Sequence, residues 1–243
     1  ESLWLTSKGF WQTETEVELL PEAIKQIAKT KGINLPPLVA IAGPVKASEC
    51  ASAKPTATVF ACRDYELAKR YAKTVTTPNY SVTPSQDEIG VEVCAALKNI
   101  YAIALGIADG MSAADEQPRD NLRAAIFVQA VTEMASLCHA LGGDLQTAYG
   151  LAGMGDLQLT STAGRSRLYG HAVGAGQNPR QALEQMQSQG LTIEGSPAAL
   201  IAHQLVQQLG LNAPLLEAVY QMLHGHVDDA RALICAVALG VDA

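Results

Sequence analysis

The chain has 243 residues, 48% of them apolar and 17% charged, and a net charge of −7. This composition is that of a globular protein rather than a disordered one. The negative balance argues against a general nucleic-acid or anionic-membrane binder. The five cysteines (Cys50, Cys62, Cys94, Cys138, Cys235) are odd in number and form no C-x-x-C pair, so reduced thiols in a cytoplasmic protein are expected, with no disulfide framework and no metal site.

No charged-then-apolar leader opens the chain, so no signal peptide is expected. Residues 2–6, SLWLT, read as a short buried strand ending at Ser7-Lys8-Gly9. A helix follows, with Pro21 suited to its first turn, and runs to Lys31-Gly32. Leu38 to Ala42 is a continuous apolar run stopped by Gly43-Pro44, the pattern of a strand buried on both faces. Ala57 to Cys62 is another strand, Asp64 caps a helix through about Val75, and Tyr80 to Thr83 is a last short strand. Strands alternating with helices at this spacing predict a parallel α/β layer.

At Ser85 the character changes. Ser85 and Glu88 form a capping-box pattern opening a long apolar helix, Asp87 to Met111. Its most apolar stretch, Ile89 to Ala108, is interrupted by Glu92, Lys98 and Asn99, so a buried helix is expected rather than a membrane insertion. On a helical wheel Lys98 shares a face with Val91, Cys94, Ala95, Tyr101, Ala102 and Leu105. Two readings stand for that lysine. Its stem lies on the core with its head in water, or it is desolvated and so poised to exchange a proton near neutral pH.

Helices are then expected near Asn121–Leu141, Asp144–Leu151, Arg165–Val173, Asn178–Gln189, Ser196–Leu209, Pro214–His224 and Asp228–Leu239. Gly190, Gly210, Gly225 and Gly240 sit where C-terminal caps belong. The fold class expected is therefore α/β followed by all-α. Residues 1–87 read as the α/β part and residues 88–243 as the helical one. No G-x-G-x-x-G follows the first strand, and the α/β part has few strands, so Glu1 is not expected to be the biological start.

Two further stretches could carry chemistry. Lys8 ends a strand and Gly43 ends another, and in open α/β sheets strand carboxyl ends face the ligand. Gly150 to Gly170 holds Asp156 and Thr160 four apart, then Gly164-Arg165-Ser166 ahead of a helical run. Free backbone N–H groups, a hydroxyl and a guanidinium suit an anion there. A flexible polar loop with surface arginines is the equal alternative.

These pieces occur together, in order, in the NAD(P)-dependent sn-glycerol-3-phosphate dehydrogenases. The chain resembles that family in Thr6-Ser7-Lys8-Gly9, Ala42-Gly43-Pro44, Ile89-Gly90-Val91-Glu92, Ala95-Ala96-Leu97-Lys98-Asn99 and Asp120-Asn121-Leu122-Arg123-Ala124-Ala125. It does so again in Gly150-Leu151-Ala152-Gly153-Met154-Gly155-Asp156-Leu157, Gly164-Arg165 and Ile193-Glu194-Gly195. The resemblance implies hydride transfer between NAD or NADP and a phosphorylated triose, with residues 1–87 as the trailing part of a dinucleotide-binding domain with an incomplete Rossmann-like sheet and residues 88–243 as a helical substrate and dimerisation domain. It makes Lys98 the proton donor or acceptor and Lys8 a group that polarises the carbonyl. Asp156 and Thr160 then act on the substrate side, and Asn99, Gly164, Arg165 and Ser166 help hold the substrate. Lys8, Gly43, Ala47, Arg165 and Glu194 fall to the cofactor, and a homodimer is expected. Val45 and Ser166 depart from the family pattern and leave a second reading open, a non-catalytic relative that serves as a dimerisation or phospho-ligand-binding module.

Overall fold

The computed structural model describes residues 1–13, 17–227 and 229–241. Two compact units result, one of residues 1–96 and 134–159, the other of residues 97–133 and 160–243.

The first unit is built on a four-stranded sheet. Its strands are β1 (Leu3–Leu5), β4 (Leu38–Ala42), β5 (Thr56–Ala61) and β6 (Tyr80–Ser85), in the order β1-β4-β5-β6. The sheet is mostly parallel, as expected, with β1 beside β4 and β5 beside β6 running the same way. The β4–β5 pair departs from that expectation and is antiparallel, with Ala40 opposite Ala61 and Ala42 opposite Val59. The cause is local. The connection holds only the short helix α2 (Ala47–Ala51), which rises about 7.5 Å. That is too little to carry the chain back along a strand, so β5 doubles back.

Helix α3 (Tyr65–Val75) closes one face of the sheet. Its Ala68 and Ala72 pack with Val39, Phe60, Cys62 and Val82. Asp64 caps it, as expected, accepting from the N–H groups of Glu66 and Leu67. The helix expected with Pro21 in its first turn is α1 (Leu20–Thr30), and ahead of it lies an antiparallel pair the sequence reading did not expect, β2 (Phe10–Gln12) with β3 (Val17–Leu19).

Helix α4 (Glu88–Asp115) runs on past Met111. The apolar window of this helix is long enough to cross a membrane, yet 94% of it is buried inside the protein, as in a core helix. The expected capping box is not formed. Asp87 Oδ1 accepts from Gly90 N at 2.9 Å and is the cap, while the Ser85 hydroxyl accepts from Asp87 N. Glu88 is instead drawn to Lys25 and Arg63, because a carboxylate only 3% exposed needs cations more than its helix needs a second cap. The other oxygen of Asp87 accepts from Asp144 N and from Thr147 Oγ1, fixing the start of α6 (Leu145–Tyr149).

After α6 the backbone widens. Leu151–Gly155 is a π-helical turn closed by a bond from Gly155 N to Gly150 O. A Cβ on Gly153 would lie 2.2 Å from the Ala148 carbonyl oxygen, so only glycine fits there. Helix α7 (Asp156–Ala163) follows without a break, where the sequence reading had a loop.

The second unit is helical, made from α4 onward of Leu97, α5 (Asp120–Ala140) up to Glu133, the end of α7, and α8 to α12. The last five are Arg165–Gly174, Pro179–Ser188, Gly195–Leu209, Pro214–Leu223 and Ala230–Leu239. All match expected helices. The expected start at Asp228 lies outside the described residues, and Asp229 caps α12. Gly190, Gly210, Gly225 and Gly240 all have positive φ, as C-terminal caps require.

Two features hold this unit together. Gly106 and Gly110 on α4 meet Gly170 and Gly174 on α8 so closely that a Cβ on Gly170 would lie 2.0 Å from Ile103 O. Glu133 is buried and fully engaged, accepting from Tyr101 Oη, Gln129 Nε2, Leu215 N and Leu216 N, and so caps α11 from across the core. Burial pushes its carboxyl pKa up, against the pull of those four donors.

Candidate active site

In the first unit, chemistry gathers at the carboxyl ends of β1 and β4. Lys8 Nζ lies 3.6 Å from Asp156 Oδ2, and the same oxygen accepts weakly, at 3.4 Å, from Gly43 N. Asp156 is 1% exposed while the Lys8 side chain is partly open, so the carboxylate is the fixed partner and the ammonium the movable one. Gly43 has φ +143°, and a Cβ on it would meet Thr58 at 3.0 Å. Glycine here thus serves the sheet directly. Beyond it Val45, Lys46 and Ala47 are exposed.

Glu92, on α4, belongs to the same unit and was read from the sequence only as a charge in an apolar run. It is 1% exposed and its Oε2 finds no hydrogen-bond partner among the described residues. Burial pushes its pKa up to about 8; the negative charge of Glu88 adds to this and the positive charge of Lys8 opposes it. Cys94, two residues further, lies with its sulfur 3.6 Å from that of Cys138, and this contact and burial raise its thiol well above the usual range.

In the second unit, Lys98 is 6% exposed, so its side chain is withdrawn from water rather than set with its head in it. Its neighbour Asn99 donates from Nδ2 to Glu194 Oε2 at 2.9 Å, and Arg165 holds the other oxygen of Glu194 at 2.7 Å. Three segments far apart in sequence thereby join through one carboxylate. Gly164 is the N-cap of α8, which leaves the first amides of that helix and Arg165 at an end favourable to anions. Ser166 is turned inward. Its hydroxyl is buried and accepts from Gly195 N at 3.3 Å, so it ties α8 to the start of α10. Thr160 is half-buried on α7, one helical turn after Asp156.

The sequence reading missed an ion-pair group centred on Asp109. Arg123 and Arg167 both pair with Asp109, at 3.1 and 2.8 Å, and Arg123 also donates to Ser161 Oγ. Gly-x-x-x-Gly occurs in both α4 and α8 and was the available signal for their close packing.

Comparison with known proteins decides the family. The pattern described as NAD-dependent glycerol-3-phosphate dehydrogenase C-terminus matches residues 87–233, and the corresponding N-terminus pattern matches residues 2–68. The chain belongs to the NAD-dependent glycerol-3-phosphate dehydrogenase family.

Within this family, the glycerol-3-phosphate dehydrogenase [NAD(P)+] of Symbiobacterium thermophilum is 41% identical over 189 residues, 77% of this chain and 53% of its own length. The NADP(+)-dependent glycerol-3-phosphate dehydrogenase of Archaeoglobus fulgidus is 33% identical over 221 residues, 90% of this chain and 65% of its own. The chain thus spans little more than half to two thirds of these relatives. A crystal structure of glycerol-3-phosphate dehydrogenase from Coxiella burnetii superposes with a TM-score of 0.83 at 33% identity, covering 97% of this chain and 68% of that one. The structure of DsGPDH of Dunaliella salina, 21% identical with a TM-score of 0.79 and covering 99% of this chain and 41% of that one, shares the fold.

Proposed function

We propose that the chain carries the substrate-side machinery of an NAD(P)-linked oxidoreductase that interconverts dihydroxyacetone phosphate and sn-glycerol 3-phosphate. The observation that supports it most is the joining of Asn99, Glu194 and Arg165 beside a lysine withdrawn from water. That arrangement sets a desolvated ammonium and an anion-gripping guanidinium within one folded unit.

Each residue then has a task that its surroundings suit. As the C2 carbonyl is reduced, negative charge grows on its oxygen. The Lys98 ammonium stabilises that oxygen and delivers its proton; in the oxidative direction the amine takes the proton back. Lys8, anchored by Asp156 in the first unit, is the polarising group that the family resemblance implies. Asp156 and Thr160 order the hydroxyl groups of the triose. Arg165, with the α8 amides after Gly164, takes the phosphate. For the phosphate to bind, Arg165 must loosen its hold on Glu194.

The residues present fit the nicotinamide end of a dinucleotide in kind. Gly43 and the exposed segment to Ala47 offer small residues and backbone at a strand end, beside Lys8. In the second unit, Glu194 is the polar group that the resemblance gives to the cofactor. The bound nicotinamide would supply or accept the hydride. The division into residues 1–87 for cofactor binding and 88–243 for substrate belongs to the same reading, as do a homodimer and a cytoplasmic location. The alternative, a non-catalytic dimerisation or phospho-ligand module, fits less well, because the relatives that match carry the name of the dehydrogenase.

The test is NADH and NADPH oxidation by the full-length protein with dihydroxyacetone phosphate, beside calorimetry with sn-glycerol 3-phosphate. Turnover that depends on the triose phosphate supports the reading. Binding of the ester without turnover supports the module instead, and neither would end both.

A further inference from the structure

We infer that Asp109 is a positioning residue, whose one carboxylate ties both ends of the turn between α7 and α8 and so sets where Arg165 stands. The phosphate ester named below as the ligand rests on the proposed dehydrogenase reading; the tie itself rests on distances within the second unit.

Asp109 lies on α4, three residues after Gly106, where α4 and α8 touch backbone to backbone. Its two oxygens serve arginines from two other helices. Oδ2 accepts from Arg167 Nε on α8 at 2.8 Å, and Oδ1 accepts from Arg123 Nε on α5 at 3.1 Å. Arg123 carries the tie onward, its Nη2 donating to Ser161 Oγ on α7 at 3.0 Å. Ser161 is buried and the three charged side chains are partly buried, so water competes little for these bonds. Ser161 and Arg167 thus both lead back to one carboxylate, and the helix junction lies between them. Within it Gly164 N donates to Thr160 O at 2.9 Å, and a Cβ on Gly164 would lie 2.6 Å from that oxygen.

Arg165 sits inside the tied segment. Its own side chain is about half exposed and so is Glu194, which it pairs with, so that pair fixes its place only weakly. The backbone that carries Arg165 is held instead from residues 161 and 167. A guanidinium can make two directed bonds at once, which is why Arg123 can bridge Asp109 and Ser161. An amide in place of the carboxylate would turn an N–H donor toward one of the two guanidiniums and release it. The junction then gains freedom, and part of the energy of binding a phosphate goes into ordering it again. Lys98 lies about three turns earlier on α4, outside the tied segment. The loss should therefore fall on KM for the triose phosphate and leave kcat nearly unchanged.

The experiment uses the full-length protein and has two arms. In the first, calorimetry with sn-glycerol 3-phosphate and steady-state kinetics compare wild type, Asp109→Asn, Arg165→Ala and the double variant. Asp109→Asn should weaken binding by about tenfold, in KM rather than kcat. Added to Arg165→Ala it should change affinity by less than about twofold, since the guanidinium it positions is already gone. A carboxylate that only stabilises the fold would weaken both backgrounds equally. The second arm needs no ligand and follows hydrogen exchange at the amides of Gly164 and Leu168, which bond to Thr160 O and Gly164 O. Exchange there should quicken about tenfold in Asp109→Asn, while the Leu215 and Leu216 amides, held by Glu133 in the same unit, keep their rates. Should Asp109→Asn fail to fold, Arg123→Lys keeps the charge but not the fork, and should act in the same direction by about threefold in both arms. An ester that binds none of these proteins would count against the dehydrogenase reading, and the exchange arm would still decide the tie. Equal losses of affinity in the two backgrounds, or exchange at Gly164 and Leu168 unmoved, would overturn the role given to Asp109.

Discussion

Asn99 and Arg165 share one carboxylate, that of Glu194, and each takes a different oxygen. The Arg165–Glu194 pair is about half exposed on both sides (47% and 52%), so it is a weak lock, worth less than about 1 kcal/mol. On the proposed function, a phosphate ester displaces it. Glu194→Gln should therefore tighten sn-glycerol 3-phosphate binding by no more than about fivefold. Arg165→Ala should weaken it by more than about tenfold, since a charge-assisted bidentate contact is lost. Calorimetry on both variants reads the two directions. Weaker binding in Glu194→Gln would show that Glu194 orients Arg165 rather than restrains it.

Lys98 is the residue on which turnover should depend most. Lys98→Ala should lower kcat by about 10²–10⁴, the range of a positioned proton donor. Lys98→Arg should not restore it, because guanidinium does not release its proton near neutral pH. Far-ultraviolet circular dichroism on the variants would confirm that α4 is intact. Turnover within threefold of wild type in Lys98→Ala would remove this lysine from the chemistry.

Glu92 also leaves a mark on stability. Its folded pKa, about 8, lies above its ordinary value of 4.5. Below pH 4.5 the carboxyl is protonated in both folded and unfolded states, and its contribution is fully present. Between 4.5 and 8 only the unfolded chain releases the proton, so stability falls as pH rises and levels off above 8. By pH 7 the loss is on the order of 3 kcal/mol. Urea denaturation of wild type and Glu92→Gln at pH 5 and pH 8 isolates it. The difference between the two proteins should grow toward alkaline pH in favour of the variant.

The contact between α4 and α8 makes a packing prediction. A Cβ on Gly174 would lie 2.1 Å from Ile107 O, and one on Gly106 would lie 2.2 Å from Arg167 O, all of these being backbone atoms that cannot swing aside. Gly170→Ala should force the helices apart and cost about 1–3 kcal/mol. Since α8 begins at Arg165, affinity for the phosphate ester should fall together with Tm. A variant with lowered Tm and unchanged affinity would show that the end of α8 is held independently, by the Ser166–Gly195 bond for instance.

Much of the fold was legible because its signals are local. Asp64 caps α3 through amides two and three residues away, and the glycines at 190, 210, 225 and 240 end helices because their own backbones need positive φ. The Lys98-Asn99 helix was readable for the same reason, since its apolar run is continuous in the chain. The reversal between β4 and β5 was harder, because it depends on how far a five-residue helix can carry the chain.

What the sequence by itself determined, then, was the order and kind of the four sheet strands and the longer helices and the family to which they belong, since hydrogen bonding within a helix or cap is settled by residues a few positions apart. Tertiary structure alone decided the rest. It made Asp87 rather than Ser85 the cap of α4, joined Asn99 to Arg165 through Glu194, turned Ser166 inward, and left Glu92 buried with one oxygen unpaired. The physical reason is that the charge and hydrogen bonding of a polar group depend on which distant atoms fill the space around it, and chain order does not carry that information.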